Sequence, residues 1–444
     1  MVKNDTSNLV LNQGKHERVM EFSLIVSLIV FCLVYVIILI RTINGVRVPI
    51  WAAMLTGAML ILIFGVISPA KAVTAINFDV IIFLIGMFLL VSGLESSGTL
   101  NYVTNGILAK AKTPNQVLFI IIFIMGLLSA FLINDTIALV GTPIVIGLIR
   151  KMNLRPAPLL LSLAFGITIG SIMTPMGNPQ NLLISLHSGM KYPMFTFLRY
   201  LALPTIANLI ATYFVIKYYY RKEFLKSTMP SVAKDILQEK KSMIISSALV
   251  VITVLGFFVL SMIKMFVEIE LNYSHIALMG GAAMLAFGSK KKEIIRGLNW
   301  QILVFFVAMF VFVSGLQSSG VIDLFHNLFP LKPTGADKLS SFGIIGISLT
   351  LSQFISNVPF VAIYLPIMHN YGFTGSDSLP WILLASASTI AGNLTIFGAA
   401  SNIIILQVAE KSKVLGFSAK EFFKIGAIVT AVNIVVLIFF LVLI

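Results

Sequence analysis

From Phe22 to Ile444 the chain is a series of apolar stretches, each near the length that crosses a bilayer. A transmembrane helix needs roughly 20 apolar residues. Stretches of this kind cover residues 22–40, 48–67, 80–97, 200–218, 243–263, 274–288, 301–316 and 422–444. Only 11% of the 444 residues are charged and 58% are hydrophobic, where a soluble domain carries about 25% charged residues. A water-soluble enzyme of this composition could not cover its own surface. The one cysteine, Cys32, rules out an intrachain disulfide and a cysteine-based metal cluster. Lipid forces backbone polar groups to pair within the protein, so the fold class is an all-α polytopic membrane protein.

Four further stretches are apolar but interrupted. Residues 115–149 break at Ile133-Asn134-Asp135-Thr136, and 341–369 at Ser356-Asn357-Val358-Pro359. Residues 157–186 break at Gly170-Ser171 and again over Thr174–Pro179; 380–409 break at Gly392-Asn393 and Gly398. Glycine, proline and asparagine are poor continuers of a helix. At membrane depth they are tolerated where the backbone lines a cavity or is buried in protein.

The interruptions recur in register. The run Met87–Gly98 matches Met309–Gly320 at an offset of 222. Asn134 aligns with Asn357 at 223, and Thr174, Gly177 and Asn181 with Thr395, Gly398 and Asn402 at 221. Each half therefore reads as three spans, a hairpin, one broken span and a final span; the hairpin is re-entrant or two full spans, which charge does not separate, and its polar tip argues for the re-entrant form. Five crossings per half is an odd number, so the second half is inverted. The expected organisation is a polar N-terminal tail over 1–21 without a cleavage-site pattern, repeats over 22–218 and 243–444, and a basic cytoplasmic linker over 219–242. With the linker inside, 22 of the 31 Lys and Arg residues lie on the cytoplasmic side and 9 outside, as positive-inside bias requires. Both termini then fall outside a cell membrane. The charges sit between apolar runs without interleaved aromatics, so nucleic acid is not a partner; lipid is.

Asp135 is the one acid deep inside an apolar stretch. An intramembrane carboxylate faces the bundle interior by default and serves ions or protons; the bland alternative is a helix cap. Asn134, Asp135, Thr136 and Asn357 offer the oxygen ligands a hard cation such as Na⁺ takes. The runs Thr174–Asn181 and Thr395–Asn402 read as unwound mid-helix segments, each creating a helix N-terminus with free N–H groups. Two such ends across a pseudo-two-fold suit an anionic or oxygen-rich solute. Close helix packing would explain the glycines alone, but not Asn178, Gln180, Asn181, Asn393, Ser401 and Asn402 beside them. No phosphate-loop motif is present. Energy comes from an ion gradient, the membrane potential or a separate soluble ATPase. No cofactor is expected beyond Na⁺ or H⁺ as coupling ion, and no catalytic constellation is visible.

The Asn134-Asp135-Thr136 tip, the Thr174-Pro-Met-Gly-Asn-Pro-Gln-Asn181 run, the Ser356-Asn357 tip and the Gly392–Asn402 run resemble the ion transporter superfamily. That group includes arsenite permeases, citrate-transporter-like proteins, divalent anion/sodium symporters and sodium/proton antiporters. The match is nearest in motif to the arsenite permease branch. The resemblance implies a homodimer with a scaffold and a mobile transport domain. Its first half-site would use Asn134, Asp135, Thr136, Gly177 and Asn178. Its second would use Ser356, Asn357, Gly392, Asn393, Thr395 and Gly398. The expected function is secondary transport of an arsenite-like or carboxylate anion, with sodium/proton antiport as the alternative and a membrane-integral enzyme behind both.

Overall fold

The computed structural model describes residues 3–443 apart from 41, 44–45, 109, 227–239, 268 and 329–337. Most of the expected linker thus lies outside the described residues. Among the described residues the regular structure is helical, except for a ladder pairing Thr42–Ile43 with Val46–Arg47. Among the described residues, eight helices are long and apolar enough to cross a membrane, so the protein is multi-pass.

The spans follow from the apolar runs, with ends displaced by capping. The helix expected over 22–40 begins at Lys3, so helix continues into the polar tail. Pro193 opens the span expected at 200–218, which runs from Pro193 to Tyr219; proline suits a first helical turn, where its missing N–H is not needed. Ser418 caps the last span, Ala419–Ile438, by accepting from the Glu421 N–H.

The chain divides into two compact units, Met1–Ile81 with Asn299–Leu331, and Ile82–Leu298 with Lys332–Ile444. In the first unit, helix Ile50–Ile63 packs on Trp300–Ser318. A side chain at Gly315 would collide with Ile61, and one at Gly57 with Val34. In the second unit, a side chain at Gly93 would collide with Met284, and one at Gly86 with the backbone of Ala277. The two sockets match: Gly315 stands 222 residues after Gly93, and Met284 stands 223 after Ile61. Each glycine admits a large side chain from the other half of the sequence, which is how small residues let membrane helices approach.

The rest of the second unit is built from the interrupted stretches. The first hairpin has an incoming leg, Pro114–Leu132, and an outgoing leg, Asn134–Met152. A π-helical turn, Ile121–Met125, sits in the incoming leg where Gly166 brings a neighbouring helix onto the Ile122 backbone, and Gly170 does so at Gly126 just after it. The second hairpin has legs Lys338–Ile355 and Asn357–Asn370. The first broken helix is Pro156–Gly170, a 3₁₀ turn Ser171–Met173, and Pro179–His187. The second is Ser378–Ala391, a 3₁₀ turn Ile396–Gly398, and Ala400–Lys411.

Packing here also crosses between the halves. Asn134–Met152 lies on Ala400–Lys411, and Asn357–Asn370 lies on Pro179–His187. The closing spans meet each other, and the Thr212 hydroxyl donates to Asn433 Oδ1 at 3.4 Å. Those two residues are 221 positions apart. Arg155, before the first broken helix, pairs with Glu223 at 3.1 Å and with Glu421 at 2.5 Å. It ties the starts of elements distant in sequence.

Candidate functional site

Both hairpins turn on a single residue at positive φ. Ile133 has φ 65° and Ser356 has φ 63°, 223 positions later. Neither is glycine, and an isoleucine there is a strained exception. Such strain costs on the order of 1–3 kcal/mol and persists where surrounding structure fixes it. At the first tip the fixing contact is visible: Asn134 N–H donates to the Gly177 carbonyl at 2.8 Å. The tip therefore lies level with the gap in the first broken helix. Asn134 Oδ1 accepts from the Asp135 N–H at 2.8 Å, which turns the start of the outgoing leg. Asp135 follows in that first turn, buried at 7% exposure. No Lys or Arg among the described residues forms an ion pair with it. Thr136, next in sequence, has a buried hydroxyl without a partner.

The first gap is closed by side-chain amides. Asn178 caps Pro179–His187 by accepting from the Asn181 N–H at 2.8 Å. Its Nδ2 donates to Ser171 Oγ at 3.1 Å. Asn181 Nδ2 donates to the carbonyls of Ser171, Ile172 and Thr174, at 3.1, 3.3 and 3.1 Å. These carbonyls lie at or just past the end of the helix, where its own N–H groups run out. The Thr174 hydroxyl donates to the Ala130 carbonyl on the hairpin. Gly177 is required here because a methyl would run into the Ser171 carbonyl oxygen.

The second gap repeats this plan. Asn402 Nδ2 donates to the carbonyls of Gly392 and Thr395 at 2.8 and 3.5 Å, as Asn181 does 221 positions earlier. Gly398 N–H donates to the Thr395 carbonyl at 3.0 Å. The Thr395 hydroxyl donates to Gln353 Oε1 at 2.9 Å, and Gln353 Nε2 donates to the Ala391 carbonyl at 2.8 Å. A methyl on Gly392 would sit 3.2 Å from Asn357 Nδ2, so the second tip reaches the second gap.

The sequence-derived residues thus fall into two clusters, with Asn134, Asp135, Thr136, Thr174, Gly177, Asn178 and Asn181 in one. The other holds Ser356, Asn357, Gly392, Asn393, Thr395, Gly398 and Asn402. A direct bond joins the gaps, since Asn178 Nδ2 and Gln180 Nε2 both donate to Thr389 Oγ1, at 3.3 and 3.1 Å. Two of the organising residues, Gln353 and Thr389, were not singled out by motif. Gln353 could have been found as an amide in an apolar leg three residues before the tip; a lone threonine in an apolar helix gives no comparable signal.

Unmet polar groups differ between the clusters. Asn393 is fully buried, and both of its amide atoms lack partners. Asn357 Oδ1, Asn402 Oδ1 and Ser401 Oγ beside it are unpartnered too. In the first cluster the orphans are Asn181 Oδ1 and Thr136 Oγ1. A buried amide left without hydrogen bonds costs about 1–3 kcal/mol, so each orphan calls for an explanation.

A family model described as "Citrate transporter" matches residues 28–387. An uncharacterized transporter of Mycobacterium tuberculosis is 26% identical over 425 residues, covering 92% of this chain and 96% of its own. The silicon efflux transporter LSI3 of Oryza sativa subsp. japonica is 26% identical over 427 residues, covering 81% and 85%. A Dictyostelium discoideum protein provisionally named as a transporter, arsB, is 23% identical over 509 residues, covering 89% of each. These relatives are transporters and not enzymes. With the family model matching well over half of its length, the chain belongs to the citrate transporter family of membrane transporters.

Proposed function

We propose that the protein is a secondary active transporter of a small anion, arsenite-like or carboxylate, coupled to an ion gradient or the membrane potential. The solute binds between the two gaps, and a cation binds near Asn134 and Asp135 of the first tip and Asn357 of the second. Residues 22–218 and 243–444 form two inverted repeats joined by a cytoplasmic linker over 219–242, with both termini outside. Several features support two halves related by a pseudo-two-fold, as inversion requires. The Gly93–Met284 and Gly315–Ile61 sockets are exchanged, the outgoing legs pack on opposite broken helices, and Thr212 meets its counterpart Asn433. The 22-to-9 basic bias agrees. The bond from Asn134 to Gly177 supports re-entrance, because a tip level with a mid-helix gap turns back before crossing.

The observation that carries the reading is Asn393, wholly buried and with neither amide atom satisfied. Lipid cannot supply those bonds; a solute arriving between the gaps can. The relatives named for silicon efflux and arsB favour a weak oxyacid, and the family description favours a carboxylate. Asn393→Ala is expected to lower uptake of labelled citrate or arsenite into proteoliposomes about tenfold or more, the value of one lost hydrogen bond to a charged or strongly polar group. Wild-type rates from Asn393→Ala would sink the solute assignment. The alternative, sodium/proton antiport, is favoured by Asp135 standing without a basic partner. Antiport requires Na⁺-driven proton flux without any added solute, and it leaves Asn393→Ala fully active.

A further inference from the structure

The two gaps share a backbone plan but not a polar inventory, and Thr389 is the hinge of that difference. Its hydroxyl donates to the Ala385 carbonyl at 2.7 Å and accepts from Asn178 Nδ2 at 3.3 Å and Gln180 Nε2 at 3.1 Å. A hydroxyl has one donor and two acceptor positions, so Thr389 is saturated. The orientation of Asn178 is fixed independently, because its Oδ1 takes the Asn181 N–H; Nδ2 must be the atom that faces Thr389. The first gap's amide donors at the Pro179–His187 N-terminus are thereby held by protein.

The second gap has no such arrangement. The counterparts of Asn178 and Gln180, 221 positions on, are Ala399 and Ser401, and the counterpart of Thr389 is Thr168. Thr168 donates to the Ala164 carbonyl at 2.8 Å and faces no amide from Ala399 or Ser401. Asn393 stands where the first half has Ile172. Asn181 Oδ1 and Asn402 Oδ1 are orphaned alike, and Thr136 Oγ1 is orphaned in the first cluster; the second adds Asn393 with both amide atoms, Ser401 Oγ and Asn357 Oδ1.

We infer that solute recognition is one-sided: the second gap supplies the side chains that contact the solute, and Thr389 sets charge selectivity by withholding the Asn178 and Gln180 N–H donors. Thr389 is a positioning residue and does not itself touch the solute. This inference rests on solute binding between the gaps. With the two donors withheld, the site presents few N–H groups to an anion and disfavours multiply charged ones. Removing the hydroxyl returns two donors to a helix N-terminus, where negative charge is favoured.

The test uses the purified full chain and a charge series of acetate, succinate and citrate, with binding read from the rise in thermal midpoint. Thr389→Val keeps the side-chain shape and removes the acceptor. It is expected to bind citrate about tenfold tighter than wild type, the effect of hydrogen bonds to a charged group, with acetate nearly unchanged. Thr389→Ser keeps the acceptor and should behave as wild type. Adding Gln180→Leu to Thr389→Val should remove most of the gain, and Thr389→Ala serves in place of Thr389→Val should the latter not fold. Equal citrate binding by wild type and Thr389→Val overturns the inference; so does a change of the same size in Thr389→Ser, or equal shifts for all three anions. Failure of the underlying reading looks different: wild type takes up no probe and Asn393→Ala alters nothing.

Discussion

Asp135→Asn should abolish gradient-driven uptake while leaving the fold intact. The carboxylate is buried in the first turn after a strained tip, and no Lys or Arg among the described residues pairs with it. A cation or proton held there is its natural counter-charge. The amide has the same shape and no charge. Losing a charge-assisted contact removes roughly 3 kcal/mol, about 100-fold in binding. The stability effect has the opposite sign. An unpaired buried charge is unfavourable, and the substitution breaks no ion pair. The thermal midpoint should therefore stay level or rise. The check is uptake into proteoliposomes under imposed Na⁺ and pH gradients, together with a melting curve. Retention of more than a third of wild-type uptake under both gradients would remove Asp135 from the coupling step.

Gly177→Ala should fail through the backbone. A methyl there meets the Ser171 carbonyl oxygen, which is part of the helix end and is already bonded by Asn181. The loop can move away only by shifting the Gly177 carbonyl, the acceptor that holds Asn134 at the first tip. Overpacking typically costs about 1–3 kcal/mol, and with backbone on both sides of the collision the cost should reach about 3 kcal/mol. Uptake should fall with it, because tip and gap are positioned by the same bond. Gly147→Ala provides a control of opposite sign. It lies inside the outgoing leg with nothing near the added methyl, so helix propensity alone should stabilise by about 0.5–1 kcal/mol. Equal melting of the two variants would show that the Ser171 contact does not constrain the loop.

Much of the architecture was legible in order. Asparagine, glycine and proline inside apolar stretches marked both tips and both gaps, because they are poor continuers of a helix. The 221–223 offsets matched elements correctly: Ile133 and Ser356 share their backbone conformation, and Asn181 and Asn402 bond equivalent carbonyls. The ends of elements were less legible. The span expected at 48–67 gives a helix of only Ile50–Ile63 followed by the short Pro69–Ala75, since Gly65 at φ 67° turns the chain out of the first helix and Ser68 caps the second. Least legible was the division of labour inside the site. Asn178 and Asn393 look alike as residues, but one has its amide consumed by cap and neighbour and the other has none. That distinction depends in part on Thr389, which carries no pattern of its own.

The exchanged sockets also bear on how the polypeptide is made. Gly93 is filled by Met284, and Asn134–Met152 rests on Ala400–Lys411, so a nascent chain emerging up to residue 240 has inserted helices whose mates are still unsynthesised. Maturation must wait for the distal part of the message. The N-terminal portion alone should be degraded, and two fragments severed within 227–239 should accumulate and regain uptake only when expressed together in one cell.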